Sequence, residues 1–208
     1  MSGFPDRILQ TPVPPLFPAT GTVEVMLFGE APGPLGADKS GIPFWGDRAG
    51  KAVYQALATA GRAEVPAGAF DAWDGAKLKA LGLRPSLRGV ALSNAFPCCP
   101  TQDGQHFKAP TDRELASNAN LARIGAELAQ GAARCEGTLR VIALGKRAQW
   151  LFQRLEKAPP FAFAWLPHPS AQGLLQAAPN KGKGLRLADL QAAWEARLRE
   201  LLTAENAW

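Results

Sequence analysis

Four short apolar runs, at residues 23–28, 90–93, 139–144 and 161–166, each stop at a turn-forming or polar residue. Runs of this length fit strands buried on both faces, as in a parallel sheet. Helical patterns lie between and after them, at 47–60, 111–130, 145–155 and 187–202. The second opens with Thr111 as N-cap and Glu114 three residues on, a capping-box arrangement, and the last carries Trp194, Leu198 and Leu201 on one stripe. Strands alternating with helices predict a three-layer α/β/α sandwich around a central four-stranded, mainly parallel sheet. No internal repeat or linker interrupts the pattern, so one domain over 1–208 is expected. The first 20 residues hold five prolines and read as an extended lead-in. Two stretches are long for loops: 61–89, with a short helix near 76–81, and the irregular 95–110. Long loops in a compact domain are usually functional.

The chain has 208 residues, 47% hydrophobic and 20% charged, enough for a full core. Its net charge of +5 suits an anionic partner such as DNA without being diagnostic. Three cysteines (Cys98, Cys99, Cys135) cannot build an extracellular disulfide framework. There is neither a membrane-length apolar stretch nor a signal-peptide layout, so cytoplasmic residence is the default expectation.

Residues 29–33 read Gly-Glu-Ala-Pro-Gly directly after the first apolar run, and 168–170 read His-Pro-Ser after the last. In an open α/β sheet ligands sit outside the carboxyl ends of the strands, which makes these turns the place to look for chemistry. Gly29-x-x-x-Gly33 lacks the Gly-Lys-Ser/Thr of a P-loop and the spacing of Gly-x-Gly-x-x-Gly, so a phosphate-loop enzyme is disfavoured.

The ordered segments GEAPG (29–33), GIPFWGDRAG (41–50), LSNAFPC (92–98), KAPTDREL (108–115), VIALGKRA (141–148) and LPHPS (166–170) together resemble the uracil-DNA glycosylase superfamily. The likeness is to its bacterial and archaeal branches with a Gly-Glu-Ala-Pro-Gly first motif, and it covers roughly residues 22–175. It implies a monofunctional enzyme that flips uracil out of DNA and cleaves its glycosidic bond through an oxocarbenium-like state. On that resemblance Phe44 is the plate on which the base stacks, worth about 1–3 kcal/mol, whereas Trp45 packs in the core. Asn94 reads the Watson–Crick edge, its amide pairing with O4 and N3–H together. His168 donates to O2 of the departing base. Glu30 orients water or balances sugar charge; the best-known branch has its Asp at the position of Ala31, and the resemblance places Ala31 and Gly33 among the uracil-binding residues. Asp38 and Asp47 are fallback carboxylates, read as a loop residue and a helix N-cap. Gly33 stands where that branch has a Tyr against the thymine methyl, which implies a roomier pocket.

Relatives with this first motif often hold an iron–sulfur cluster on four cysteines. Cys98 matches one ligand position, but Asn118 occupies another and residues 1–22 contain no Cys, so no metal or cofactor is expected. The loop after His168 (Ser170, Gln172, Leu174) matches the one that enters the minor groove, with Gln172 or Leu174 as wedge. Lys181 and Lys183 are expected on phosphates, and His106 on DNA backbone or solvent. The expected partner is uracil-containing DNA, bound by a monomer. A uracil-DNA trapping protein would share Phe44, Asn94 and His168. Trapping relatives carry an extra His after the aromatic segment, where this chain has Gly-Asp-Arg-Ala-Gly-Lys.

Overall fold

The described chain opens in a small two-stranded sheet beside the central one. In the computed structural model, which describes residues 8–155 and 160–203, β1 (Ile8–Pro12) pairs antiparallel with β6 (Cys98–Pro100). Leu16 then bridges to Leu92. The lead-in is thus extended, as expected, and it covers a sheet edge that would otherwise present unpaired backbone; residues 1–7 lie outside the described residues.

The central sheet comprises β2 (Val23–Gly29), β5 (Gly89–Asn94), β7 (Leu139–Leu144) and β8 (Phe161–Leu166), in the order β5-β2-β7-β8 with every pair parallel. Alternate residues face opposite layers. Val25, Leu27, Val90, Leu92, Ile142 and Leu144 meet α2 (Arg48–Thr59), α7 (Ala171–Ala177) and α8 (Leu187–Thr203). Met26, Phe28, Ala91, Val141 and Ala143 meet α5 (Asn118–Ala132) and α6 (Lys146–Arg154). Both faces are covered, which is why these strands read as unbroken apolar runs. The fold is the three-layer α/β/α sandwich that the sequence predicts.

The expected helix over 111–130 is two helices. Thr111 does form the capping box with Glu114, opening α4 (Asp112–Leu115), but Ser117 takes extended dihedrals and restarts the chain as α5. The 61–89 stretch holds a hairpin of β3 (Ala63–Glu64) with β4 (Ser86–Leu87), flanking α3 (Gly75–Ala80). A short α1 (Ala37–Ser40) precedes α2, and a 3-10 turn, Pro179–Gly182, precedes α8. Among the described residues no helix is long and apolar enough to cross a membrane.

Candidate active site at the carboxyl rim of the sheet

Gly29 pairs with Asn94, Phe28 with Ala143 and Leu144 with Leu166, so the four strands end level. Asn94 ends β5, Glu30 follows β2, the N-terminus of α6 follows β7, and His168 stands two residues beyond β8. The candidate side chains therefore leave neighbouring strands at one rim.

Gly29 is where two of them meet. A Cβ there would lie 2.7 Å from Asn94 Oδ1 and 2.7 Å from Phe44 Cε1, so only glycine lets the ring edge and the amide close over the backbone. Asn94 is 3% exposed and its Nδ2 has no partner among the described residues. An unsatisfied buried donor costs about 1–3 kcal/mol, a cost that a ligand acceptor would remove. Phe44 holds φ 64°, a left-handed conformation rare for an aromatic residue, and such strain concentrates at functional sites. The surroundings enforce it. Tyr54 donates to the Pro43 carbonyl (3.1 Å), the Asp47 amide donates to the Phe44 carbonyl (3.2 Å), and Gly50 leaves room for that carbonyl against α2. Trp45 is fully buried, its Nε1 donating to the Leu83 carbonyl, in the packing role expected of it. Gly29→Ala should displace plate and amide together. The expected result is a soluble, folded protein whose activity toward its substrate falls on the order of 10²-fold, the cost of a misplacement of about 1 Å.

Glu30 Oε1 accepts from the Arg147 amide (3.2 Å) in the first turn of α6, a favourable seat for an anion. Gly145, with φ 95°, makes this approach possible, since a Cβ there would meet the carboxylate at 2.5 Å. His168 lies between two prolines on a turn pinned by Trp194, whose Nε1 donates to the Pro167 carbonyl (2.8 Å). The Ser170 amide donates to His168 Nδ1 (3.3 Å), and the Ser170 hydroxyl sits 3.0 Å from the same nitrogen. Nδ1 is therefore an acceptor, which puts the imidazole proton on Nε2. Burial holds the imidazole below its ordinary pKa, against the opposing pull of the nearby Glu30 charge. The ring is a neutral Nε2–H donor.

Two expected DNA contacts, Leu174 and Ser170, need correction. Leu174 is buried in the core, because the period of α7 turns it inward, so it is no wedge. Ser170 spends its hydroxyl on the N-cap of α7, accepting from the Gly173 amide, and on His168. It positions the imidazole instead of reaching outward. Gln172, Lys181 and Lys183 are exposed, the lysines on a turn where Asn180 and Lys181 have positive φ. Ala31 packs on the α5–α6 side. His106 is exposed and pairs with Asp103 (2.5 Å).

Gly33 does not open the pocket wall. A Cβ there would run into the Asp47 carboxylate, which already fills that space. Asp47 stands at the N-cap position of α2 without capping it; its Oδ1 instead accepts from the Ala37 amide (3.2 Å), and the Gly33 and Gly36 amides also donate to it. Desolvation raises this carboxyl to about 6, against the lowering pull of those amides. The folded state thus binds the Asp47 proton more tightly than the unfolded chain, and its contribution to stability rises as pH falls through 6 toward 4. His168 acts with the opposite sign, because burial disfavours its cation. The melting temperature of the wild type relative to Asp47→Asn should accordingly shift in the wild type's favour between pH 7 and pH 5; a constant difference would refute the assignment.

Cys98 and Cys99 are buried on β6 and burial raises both thiols, Cys99 to about 12, while Cys135 lies where β7 begins, at the opposite rim. Three thiols so divided do not fit a four-thiolate cluster. No group of three or more His, Cys, Asp or Glu among the described residues is arranged to hold a metal ion. The sequence alone did not reveal Asp47 as the hub of the 33–37 loop, Gly173, packed against the His168 carbonyl, and Trp194 as supports of the His168 turn, or the buried polar residues of α5. A search of curated proteins returns no match to this chain. A family model described as the uracil DNA glycosylase superfamily matches residues 15–196.

Proposed function

The chain belongs to the uracil DNA glycosylase superfamily, and on that premise we propose that it is a monofunctional DNA glycosylase that flips uracil from DNA and hydrolyses its glycosidic bond. The observation that carries this reading is the unpartnered, buried Asn94 amide beside the Phe44 ring above Gly29. Uracil offers O4 to the Asn94 Nδ2–H and its N3–H to Oδ1. Cytosine reverses both and would leave buried groups unpaired, at about 1–3 kcal/mol each.

As the bond from C1′ to N1 breaks, its electron pair passes to the base and is shared with O2. His168 Nε2–H donates to that oxygen, where charge develops. The Glu30 carboxylate faces the cationic sugar, orients a water toward C1′ and accepts its proton, leaving an abasic site. Gln172, Lys181 and Lys183 contact the DNA, in keeping with the net charge of +5. Thiols so divided argue against a four-thiolate cluster, and the proposed reaction uses no metal.

A gel assay on uracil-containing single- and double-stranded oligonucleotides, with EDTA present, tests the proposal. Alkali-labile product at the uracil position of at least one strand form is expected, equally with and without EDTA. No product from either strand form would overturn the function, and product lost on chelation would overturn the metal-free part.

A further inference from the structure

The buried stripe of α5 is made of Asn120, Ile124, Glu127, Leu128 and Gly131, so two of its positions facing the sheet are polar. Asn120 is 4% and Glu127 6% exposed, and Arg123 sits between them on the same side. Their bonds converge on three consecutive residues at the end of β5. Ser93 Oγ donates to Glu127 Oε2 (2.6 Å). Arg123 Nη2 donates to the carbonyls of Asn94 (2.9 Å) and Ala95 (3.1 Å), and Arg123 is held by Asn120 Oδ1 and by an ion pair with Glu127. Asn120 Nδ2 donates to the Ala95 carbonyl (2.9 Å) and to the Leu115 carbonyl (2.8 Å), which the break before α5 leaves free. From the other side the Ala95 amide donates to Gly29 O (2.8 Å) and the Phe96 amide to Glu30 O (3.0 Å).

A buried ion pair is a poor way to gain stability, because desolvation offsets its attraction and apolar residues of similar size usually serve as well. Here the pair holds the Ser93 hydroxyl on one side of the amide that meets Phe44 and the Asn94 and Ala95 carbonyls on the other. We infer that Asn120, Arg123 and Glu127 are positioning residues: they hold the Asn94 peptide in one orientation and so set how well the pocket selects and excises its base. This rests on the reading of Asn94 given above. Lysine at 123 would keep the charge but lose the planar fork that reaches two carbonyls and Asn120 together.

The test is a double-mutant cycle in single-turnover excision from a uracil duplex, using Arg123→Lys, Asn94→Ala and the pair, with affinity for an abasic-site duplex measured alongside. Expected are a loss of about 10-fold or more for Arg123→Lys, unchanged abasic-site affinity, and no further loss when Arg123→Lys is added to Asn94→Ala. Ser93→Ala, which frees Glu127 Oε2 while disturbing little else, should show the same non-additivity at smaller amplitude and serves if Arg123→Lys does not fold. Additive losses, or abasic-site affinity falling in parallel with excision, would overturn the inference while leaving the function intact. A wild type that excises no uracil would instead overturn the functional reading, and this inference with it.

Discussion

On the proposed function, replacing His168 with Ala is expected to lower single-turnover excision of uracil about 10²–10³-fold, the usual cost of removing one preorganised donor to a developing anion. Two features of the site argue for an effect of that size. The ring's proton is committed to Nε2, because the Ser170 amide and hydroxyl occupy Nδ1. The turn is rigid, set between Pro167 and Pro169 and tied to α8 through Trp194. Affinity for abasic-site DNA should change little, since the lost contact is to the base. The same geometry fixes the pH behaviour. Burial holds His168 below its ordinary 6.5, so the neutral donor persists as pH falls through 6.5 and any limb due to this group lies on the acid side of that value. Rapid-quench rates between pH 5 and 8 check both points. A limb centred above 6.5 that vanishes in His168→Ala would refute the neutral donor, and a loss under about 10-fold would remove His168 from the chemistry.

Glu30→Gln is expected to cost about 10²–10⁴-fold in the same assay, the range for losing a positioned proton acceptor. Gln keeps the size of the side chain and an oxygen for the Arg147 amide, so the seat at the start of α6 survives and only the charge is lost. The preference for uracil-containing over abasic-site duplex should therefore persist, since Phe44 and Asn94 are untouched. Full activity in Glu30→Gln would shift the role to another carboxylate. Of the two fallback carboxylates, Asp47 is already committed to the amides of the 33–37 loop and Asp38 is paired with Lys39 (3.0 Å).

The errors of the sequence reading share one cause. Leu174 follows His168 by six residues in a segment that resembles a DNA-inserting loop, but the Ser170 cap starts α7 there, and helical period then sends Leu174 inward and leaves Gln172 outside. Gly33 looks like a missing wall until the distant Asp47 is seen to fill the space. The polar residues of α5 did leave a trace, as Asn120 and Glu127 interrupt the apolar stripe through Ile124 and Leu128. Nothing local indicates that they serve Ser93, Asn94 and Ala95, more than 20 residues away in the chain.

Local chemistry alone determined the four central strands, most helices, the carboxyl-rim turns and the residues placed on them, because burial on both faces, capping and turn geometry are properties of short segments. Tertiary structure decided which side chains look into the site: the level ending of four parallel strands gathers Asn94, Glu30 and His168, and Gly29 lets Phe44 close on Asn94. The same is true of the grip of α5 on the Asn94 peptide, the seating of Glu30 on α6 and the proton on His168 Nε2. Each depends on contacts between segments far apart in the chain, whose distances no local pattern encodes.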